Sequence, residues 1–266
     1  MSVPPSQPSD LGQLARALTI AGSDPSGGAG IQADLKTFHR LGVYGQSVVT
    51  LITAQNTRGV SAVHLLPREL VLQQLDAVLS DIGAQAVKTG ALGSPELIEA
   101  VAARLQDTGI PLVVDPVLIS KHGHRLAGPE AISALRLLLP LAAVVMPNWY
   151  EAAALSGRTV DSPATAHDAA QVLIDQGAQA VLMKGGGDSA DDLLVTPDGE
   201  TVLPGLRIAT RNLHGTGCTY AAAVTAHLAR GLPLATAALQ AKAFIAHAIV
   251  TAPGLGGGYG PVNHWA

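Results

Sequence analysis

The only cysteine of the 266-residue chain, Cys218, directly follows Gly215, Thr216 and Gly217 at the start of a predicted helix. Backbone N–H groups and the positive end of the helix dipole converge at such a position, which suits it to a phosphate or a transferring phosphoryl group. The same field predicts a lowered pKa for the Cys218 thiol. A buried packing residue is the alternative, and sequence position alone does not separate the two interpretations.

A second glycine-rich turn, GSDPSGGAGIQADLK (22–36), follows the first predicted strand. Residues 28–33 match the GxGxxG/A pattern of dinucleotide-binding turns, but the next strand ends in Ala54-Gln55-Asn56 and lacks the acid that such sites place on the ribose. Two interpretations stay open: a small-molecule site beside the glycines, or glycines that only allow a tight turn and close helix packing. No lysine follows a glycine, so the chain has no P-loop.

Four polar residues stand where later predicted strands end. Asp115 closes a buried apolar run and therefore needs a partner, while Lys184 is a candidate counter-charge for phosphate. Asn148 and Glu151 are three residues apart and share one face of a helical turn. Their oxygens could hold Mg²⁺, or Asn148 could cap a helix with Glu151 at its third position; the spacing alone favours the cap.

The hydrophobic pattern of the sequence predicts the strands and helices that position these candidate residues. Continuous apolar runs predict strands buried on both faces at 17–22, 47–55, 86–90, 111–117, 142–148 and 180–186. Helix-periodic segments with start and stop signals lie at 30–42, 67–83, 94–109, 162–177, 216–231 and 233–252. The alternation predicts an α/β fold with a mostly parallel sheet, and the Asp-Gly within 191–205 predicts an antiparallel edge hairpin. Ligands of such sheets bind outside the carboxyl ends of the strands, where the candidates fall.

Composition narrows the class of protein. A net charge of −4 and a pI near 6.1 argue against a nucleic-acid surface. One cysteine excludes an intrachain disulfide, and neither a signal peptide nor a bilayer-length apolar run is visible, so we expect a cytoplasmic protein without membrane contact. Residues 1–15, rich in Pro and Ser, predict a mobile tail, and 16–266 a single domain. Ala-rich helix faces and the edge hairpin leave room for a homodimer.

Seven motifs occur in the order typical of one enzyme family: ALTIAGSDPSGGAGIQADLKTF, YGQSVVTLITAQNTRGV, KTGAL, VVDPV, MPNWYEAAAL, VLMKGG and NLHGTGCT. From about residue 17 to its C-terminus the chain resembles hydroxymethylpyrimidine/phosphomethylpyrimidine kinases, ribokinase-like enzymes related to pyridoxal kinases. The resemblance implies a three-layer α/β/α sandwich. It also implies phosphorylation, with ATP and Mg²⁺, of 4-amino-5-hydroxymethyl-2-methylpyrimidine and then of its monophosphate to the diphosphate, in thiamine biosynthesis.

The resemblance also implies roles for individual residues. The pyrimidine pocket would be lined by Gly22, Asp34, Gln55, Ala91 and Val117. Asp115, Asn148, Glu151 and Lys184 would serve ATP and its phosphates, with Asn148 and Glu151 holding Mg²⁺ through water. Gly215, Thr216 and Gly217 would form an anion hole, and Cys218 would help remove the substrate's proton.

Chemistry supports Gln55 in particular. One side-chain amide can satisfy the amino donor and the neighbouring ring-nitrogen acceptor of an aminopyrimidine edge. For Asp34 two roles stay open: accepting a hydrogen bond from the pyrimidine, or organising its surroundings.

The chain departs from the family pattern in two places. Ala91 stands where many relatives have Met, which predicts a roomier pocket floor and a less certain substrate range. His122 and His124 stand in a loop that commonly reads Ser-Gly-Asp, where they could alter the pH dependence. A pyridoxal kinase is the nearest alternative, because its substrate is also a flat ring with a hydroxymethyl group. A nucleotide-dependent oxidoreductase, resting only on residues 28–30, and a non-catalytic binding protein are the others.

Overall fold

The computed structural model describes residues 14–118, 130–186 and 190–266. Its strands are β1 Arg16–Ser23, β2 Tyr44–Asn56, β3 Gly59–Leu65, β4 Ala86–Thr89, β5 Leu112–Val114, β6 Ala142–Val145, β7 Val181–Met183, β8 Asp192–Thr196 and β9 Gly199–Leu203. Its α-helices are α1 Gly30–Arg40, α2 Arg68–Ser80, α3 Pro95–Leu105, α4 Glu130–Leu135, α5 Trp149–Ser156, α6 Pro163–Asp175, α7 Thr216–Ala229 and α8 Leu234–Val250.

The nine strands form one sheet in the order β3-β2-β1-β4-β5-β6-β7-β8-β9. Six strands are parallel to one another: β2, β1, β4, β5, β6 and β7. At one edge β3 pairs antiparallel with β2, and at the other edge β8 pairs antiparallel with β7 and β9 with β8. The predicted mostly parallel sheet and its hairpin, β8 with β9, are confirmed. The chain runs from β1 outward to β2 and later returns to the other side of β1, so a crevice opens between β1 and β4.

Helices cover both faces of the sheet. One face carries α2 to α6, whose buried side chains join those of the strands in the largest apolar core, which includes Val71, Leu75, Ile98 and Leu173. The other face carries α1, α7 and α8. Helix α7 packs on β1, β4 and β5 and lies between α1 and α8, and small side chains suit that place: Ala221, Ala222, Ala223 and Ala226 are all 0% exposed.

Local signals set the helix starts. Ser94 accepts a hydrogen bond from the backbone N–H of Leu97 and is followed by Pro95 at the first helical position of α3. Ser162 caps α6 in the same way. At α7 the cap residue is Gly215, with φ of 78°, a left-handed conformation in which a side chain would also collide with the carbonyl oxygen of Gly28.

Three elements were absent from the sequence prediction: β3, α4 and a 3-10 helix, Arg136–Leu141. Strand β3 pairs with β2 after a short turn and exposes most of its side chains, so it lacks the continuous apolar run of a buried strand. Helix α4 and the 3-10 helix have six residues each, too short for a clear helical period. Helix α5, with eight residues, was predicted only as the helix that Asn148 could cap.

Some expectations lie beyond the described residues: most of the predicted tail, and both His122 and His124. The single domain over 16–266 stays a prediction. Within the described ranges, no helix is both long and apolar enough to cross a membrane.

Candidate active site

A cavity of about 520 Å³ opens at the carboxyl ends of the central strands, in the crevice between β1 and β4. Its size suits a small-molecule ligand. Twelve of the thirteen residues proposed from sequence line it: Gly22, Gln55, Ala91, Asp115, Val117, Asn148, Glu151, Lys184, Gly215, Thr216, Gly217 and Cys218.

Asp34 is the exception, because it is completely buried and does not line the cavity. Its two carboxylate oxygens lie 3.0 and 2.9 Å from Lys88 Nζ, and one of them accepts a hydrogen bond from the Thr19 hydroxyl at 2.6 Å. The carboxylate is thus taken up by protein partners. Of the two roles left open for Asp34, the geometry fits the one of organising the pocket's surroundings.

Lys88 projects from β4 at the cavity wall, and a methyl group on Gly90 would lie 3.4 Å from its ammonium. Burial alone would lower the pKa of Lys88, but the negative charges of Asp34, a Cys218 thiolate and Asp115 outweigh burial and raise it. Lys88 therefore carries a fixed positive charge beside the thiol.

A second ammonium lines the cavity between two carboxylates. Lys184 Nζ lies 2.9 Å from Asp115 Oδ1 and 3.6 Å from Glu151 Oε2. A methyl group on Gly217 would lie 3.5 Å from Lys184 Nζ and 3.9 Å from Asp115 Oδ2, so this charge cluster meets the first turn of α7. The cluster and the helix N-terminus together suit the phosphate end of a ligand.

Asn148 and Glu151 form a capping box at the start of α5. Asn148 Oδ1 accepts from the backbone N–H of Glu151 at 2.9 Å, and Glu151 Oε2 accepts from that of Asn148 at 2.8 Å. The cap suggested by the spacing is therefore present, and it holds Glu151 beside Lys184. Burial raises the pKa of Glu151, and although Lys184 opposes the rise, the nearby charge of Asp115 adds to it.

The donor set of this cluster fits Mg²⁺. Asp115 Oδ2 is buried and has no hydrogen-bond partner in the part of the chain that the structure describes, and Asn148 and Glu151 line the same cavity. Magnesium in phosphoryl-transfer sites uses one or two carboxylates together with water and substrate phosphates. Among the described residues, no three His, Cys, Asp or Glu side chains form a ready-made metal cluster.

The lowered pKa predicted for Cys218 is wrong. Burial raises the pKa of the thiol to about 11, and the positive charge of Lys88 and a hydrogen bond from the backbone of Gly30 offset burial only in part. Asp115 and Asp34 add negative charge that favours the neutral thiol. Desolvation thus outweighs the contacts that favour the thiolate, and at neutral pH the thiol is protonated.

The first glycine turn is organised by Asp24. This carboxylate accepts hydrogen bonds from the backbone N–H groups of Ser26 and Ala29, each at 2.9 Å. Gly30 has φ of 58°, and a side chain there would collide with the carbonyl oxygen of Gly22. The glycines therefore serve a tight turn and a close backbone approach, and the turn also lines the cavity.

Sequence reasoning missed three residues of the site: Asp24, Lys88 and His214. For Lys88 a signal existed, because a lysine inside a buried strand needs a buried partner. Asp24 and His214 are 190 residues apart in the chain, yet His214 Nε2 lies 2.7 Å from Asp24 Oδ2. The sequence motifs around the two residues do not indicate that contact.

Comparison with known proteins agrees with this geometry. The family model described as phosphomethylpyrimidine kinase matches residues 24–263. A hydroxymethylpyrimidine/phosphomethylpyrimidine kinase of Rhizobium meliloti is 51% identical over 257 residues, which cover 94% of this chain and 96% of the relative.

Two solved structures share the fold. Pyridoxal kinase from Staphylococcus aureus in complex with AMP-PCP and pyridoxal has a TM-score of 0.87 at 39% identity, covering 95% of this chain and 94% of its own. Phosphomethylpyrimidine kinase from Clostridium difficile 630 has a TM-score of 0.78 at 42% identity, covering 86% and 97%. These matches agree with the cavity, its two lysine–carboxylate pairs and the glycine turn before α7. They establish that the protein belongs to the phosphomethylpyrimidine kinase family.

Proposed function

We propose that the protein is a kinase that transfers the γ-phosphoryl group of ATP to 4-amino-5-hydroxymethyl-2-methylpyrimidine, and then phosphorylates the monophosphate to the diphosphate. The observation that carries this proposal is the position of Gln55, which lines the cavity and is linked through His214 to Asp24 of the first glycine turn. Such an amide matches the adjacent donor and acceptor of an aminopyrimidine edge. The names of the relatives support the same substrate class.

Phosphoryl transfer at this site relies on positioning and charge. Lys184 offers its ammonium to the phosphates, and the N–H groups of Gly217 and Cys218 lie in the first turn of α7, where a helix supplies no acceptor of its own. Asn148, Glu151 and Asp115 would hold Mg²⁺, which would supply further positive charge to the phosphates of ATP.

Cys218 accepts the proton of the substrate hydroxyl in this proposal. The O–H bond breaks as the oxygen bonds to the γ-phosphorus, the proton passes to the thiolate, and ADP leaves. The raised pKa makes the thiolate scarce at pH 7, while Lys88 and the Gly30 amide favour it at the moment of transfer. Cys218→Ala should slow turnover by about 10²- to 10⁴-fold, and unchanged turnover would return Cys218 to a packing role.

A pyridoxal kinase is the second candidate. It rests on the 39% identical structural neighbour solved with pyridoxal, and on Ala91, whose small side chain lines the cavity.

ADP release from Mg-ATP separates the candidates when the pyrimidine, its monophosphate, pyridoxal and ribose are offered in parallel. We expect turnover on both pyrimidines to exceed turnover on pyridoxal. Preference for pyridoxal would overturn the proposed substrate, and no turnover on any acceptor would favour a binding protein.

A further inference from the structure

Three side chains form a row from the first glycine turn to the cavity. His214 Nε2 lies 2.7 Å from Asp24 Oδ2 and 3.2 Å from Nε2, the amide nitrogen, of Gln55. Asp24 and His214 are both 3% exposed, whereas Gln55 is half-buried at the cavity wall. The row joins two glycine turns that are far apart in sequence to the group proposed to recognise the substrate ring.

Asp24 acts only as a hydrogen-bond acceptor. Its Oδ1 accepts from the Ser26 N–H, and its Oδ2 from the Ser26 hydroxyl and the Ala29 N–H, each at 2.9 Å. Burial would raise the pKa of Asp24, but hydrogen bonds from His214 and Ser26 outweigh burial and lower it. An ionised carboxylate 2.7 Å from an imidazole nitrogen requires a proton on that nitrogen, so Nε2 of His214 is a donor.

This proton constrains Gln55. A protonated Nε2 has no free lone pair to accept an amide N–H, so Gln55 Nε2 in this position would place one donor against another. A half-turn of the amide exchanges its nitrogen and oxygen. Gln55 Oε1 then shares the Nε2–H of His214 with Asp24 Oδ2. The neighbouring carboxylate therefore selects the direction of the amide through the imidazole.

We propose that His214 is a positioning residue that, oriented by Asp24, holds Gln55 with its Oε1 toward His214 and its amide N–H₂ away from it, and so decides which rings the site accepts. This inference rests on the proposed function for its substrate and deepens it.

The order of the substituents on the substrate ring shows how the orientation of the Gln55 amide would distinguish the pyrimidine from pyridoxal. In the aminopyrimidine the amino group lies between the ring nitrogen and the hydroxymethyl group. With Gln55 Oε1 facing the amino group and its N–H₂ facing the ring nitrogen, the hydroxymethyl group falls on the His214 side, where the chain continues into Gly215–Cys218. Pyridoxal instead has a carbonyl acceptor beside its hydroxymethyl group, and an acceptor facing Oε1 is disfavoured.

The substitution His214→Phe tests the proposal because it keeps a ring against Gly28, which packs on His214, but removes the N–H donor. We expect the ratio of kcat/KM for the pyrimidine to kcat/KM for pyridoxal to fall about tenfold or more, with most of the loss in the pyrimidine KM. Ser26→Ala is the matched control, since it removes one Asp24 contact at an exposed residue and leaves the Asp24–His214 pair; its ratio should equal that of the wild type. An unchanged ratio in His214→Phe would overturn the proposal.

The ¹⁵N spectrum of the His214 imidazole in the unsubstituted protein is a second test that needs no variant. A proton on Nε2 is expected, and protonation of Nδ1 alone would overturn the inference even if all variants misfold. Failure of the wild type to phosphorylate the pyrimidine would instead overturn the proposed function, while the ¹⁵N result would still decide how His214 orients Gln55.

Discussion

Two lysines line the cavity with the same salt-bridge length and different surroundings. Lys88 and Asp34 are 2.9 Å apart and both side chains are 0% exposed. Lys184 and Asp115 are also 2.9 Å apart, but Lys184 is 16% exposed and a second carboxylate, Glu151, lies 3.6 Å away. Distance alone does not distinguish the pairs; accessibility does.

The difference lies in what remains for a ligand. Both oxygens of Asp34 are occupied by Lys88, and one also by Thr19, so that pair is closed. In the pair of Lys184 and Asp115, called the open pair below, Asp115 Oδ2 has no hydrogen-bond partner within the described ranges, and two carboxylates share one ammonium. A buried ion pair that is fully satisfied supports structure, whereas an incompletely satisfied pair at a cavity is suited to bind.

Breaking the closed pair should have the largest effect on stability. Lys88→Met leaves the Asp34 charge buried without compensation, so we expect the free energy of unfolding to fall by about 3–5 kcal/mol, measured by urea denaturation. Arg104→Met removes one partner of an exposed pair with Asp76, each half-exposed, and should cost at most about 1 kcal/mol. Equal stability of the two variants would contradict the closed-pair interpretation.

If Lys88→Met does not fold, the double variant with Asp34→Asn decides the same point. Removing the uncompensated charge should restore part of the lost stability. A double variant no more stable than the single one would show that the pair's charges are not the cause.

Breaking the open pair should affect turnover more than stability. Lys184→Met removes the proposed phosphate counter-charge, so kcat should fall by about 10²- to 10³-fold, measured as ADP release. Its loss of unfolding free energy should be smaller than that of Lys88→Met, because Asp115 and Glu151 reach the cavity and its water. A Lys184→Met enzyme with wild-type kcat would remove Lys184 from the phosphate site.

Glu151→Gln should sharpen the assignment of the metal. Glutamine keeps an oxygen for the Asn148 N–H and loses the negative charge, so the Mg²⁺ concentration for half-maximal turnover should rise by about 10- to 100-fold. The measurement is a Mg²⁺ titration of ADP release at saturating pyrimidine. An unchanged titration would leave Glu151 with its capping role alone.

Cys218 lies between the two pairs, and its pH profile tests which state of the thiol is active. Because its pKa is raised to about 11, the thiolate fraction grows about tenfold per pH unit between pH 7 and 10. Turnover limited by the thiolate should rise with pH at that slope, and Cys218→Ala should remove the rise. A flat wild-type profile would argue against Cys218 as the proton acceptor.

Much of the fold could be predicted from the sequence. The strands that end near Gly22, Asp115, Asn148 and Lys184 are buried on both faces. Because ligands bind at the carboxyl ends of such strands, these four residues were predicted to lie at one site, and all four line the cavity. Strand β3 was missed because its exposed residues carry no strong periodic signal.

The electrostatic state of the site could not be predicted in the same way. The field of the α7 N-terminus predicted a lowered pKa for Cys218, but that argument omits desolvation and the carboxylates of Asp34 and Asp115, which reach the thiol from other elements. Likewise, the motif resemblance placed Asp34 in the pocket. The motif does not show that Lys88, 54 residues away in the chain, pairs with this carboxylate and keeps it out of the cavity.

The sequence by itself determined the alternation of strands and helices, the glycine turns and the family, since these depend on local patterns and on motif order. Only the tertiary structure decided which carboxylate is closed off, which is open, and that Asp24, His214 and Gln55 form a row. Hydrogen bonds and charges act over a few ångströms in space, and these partners are up to 190 residues apart in the chain.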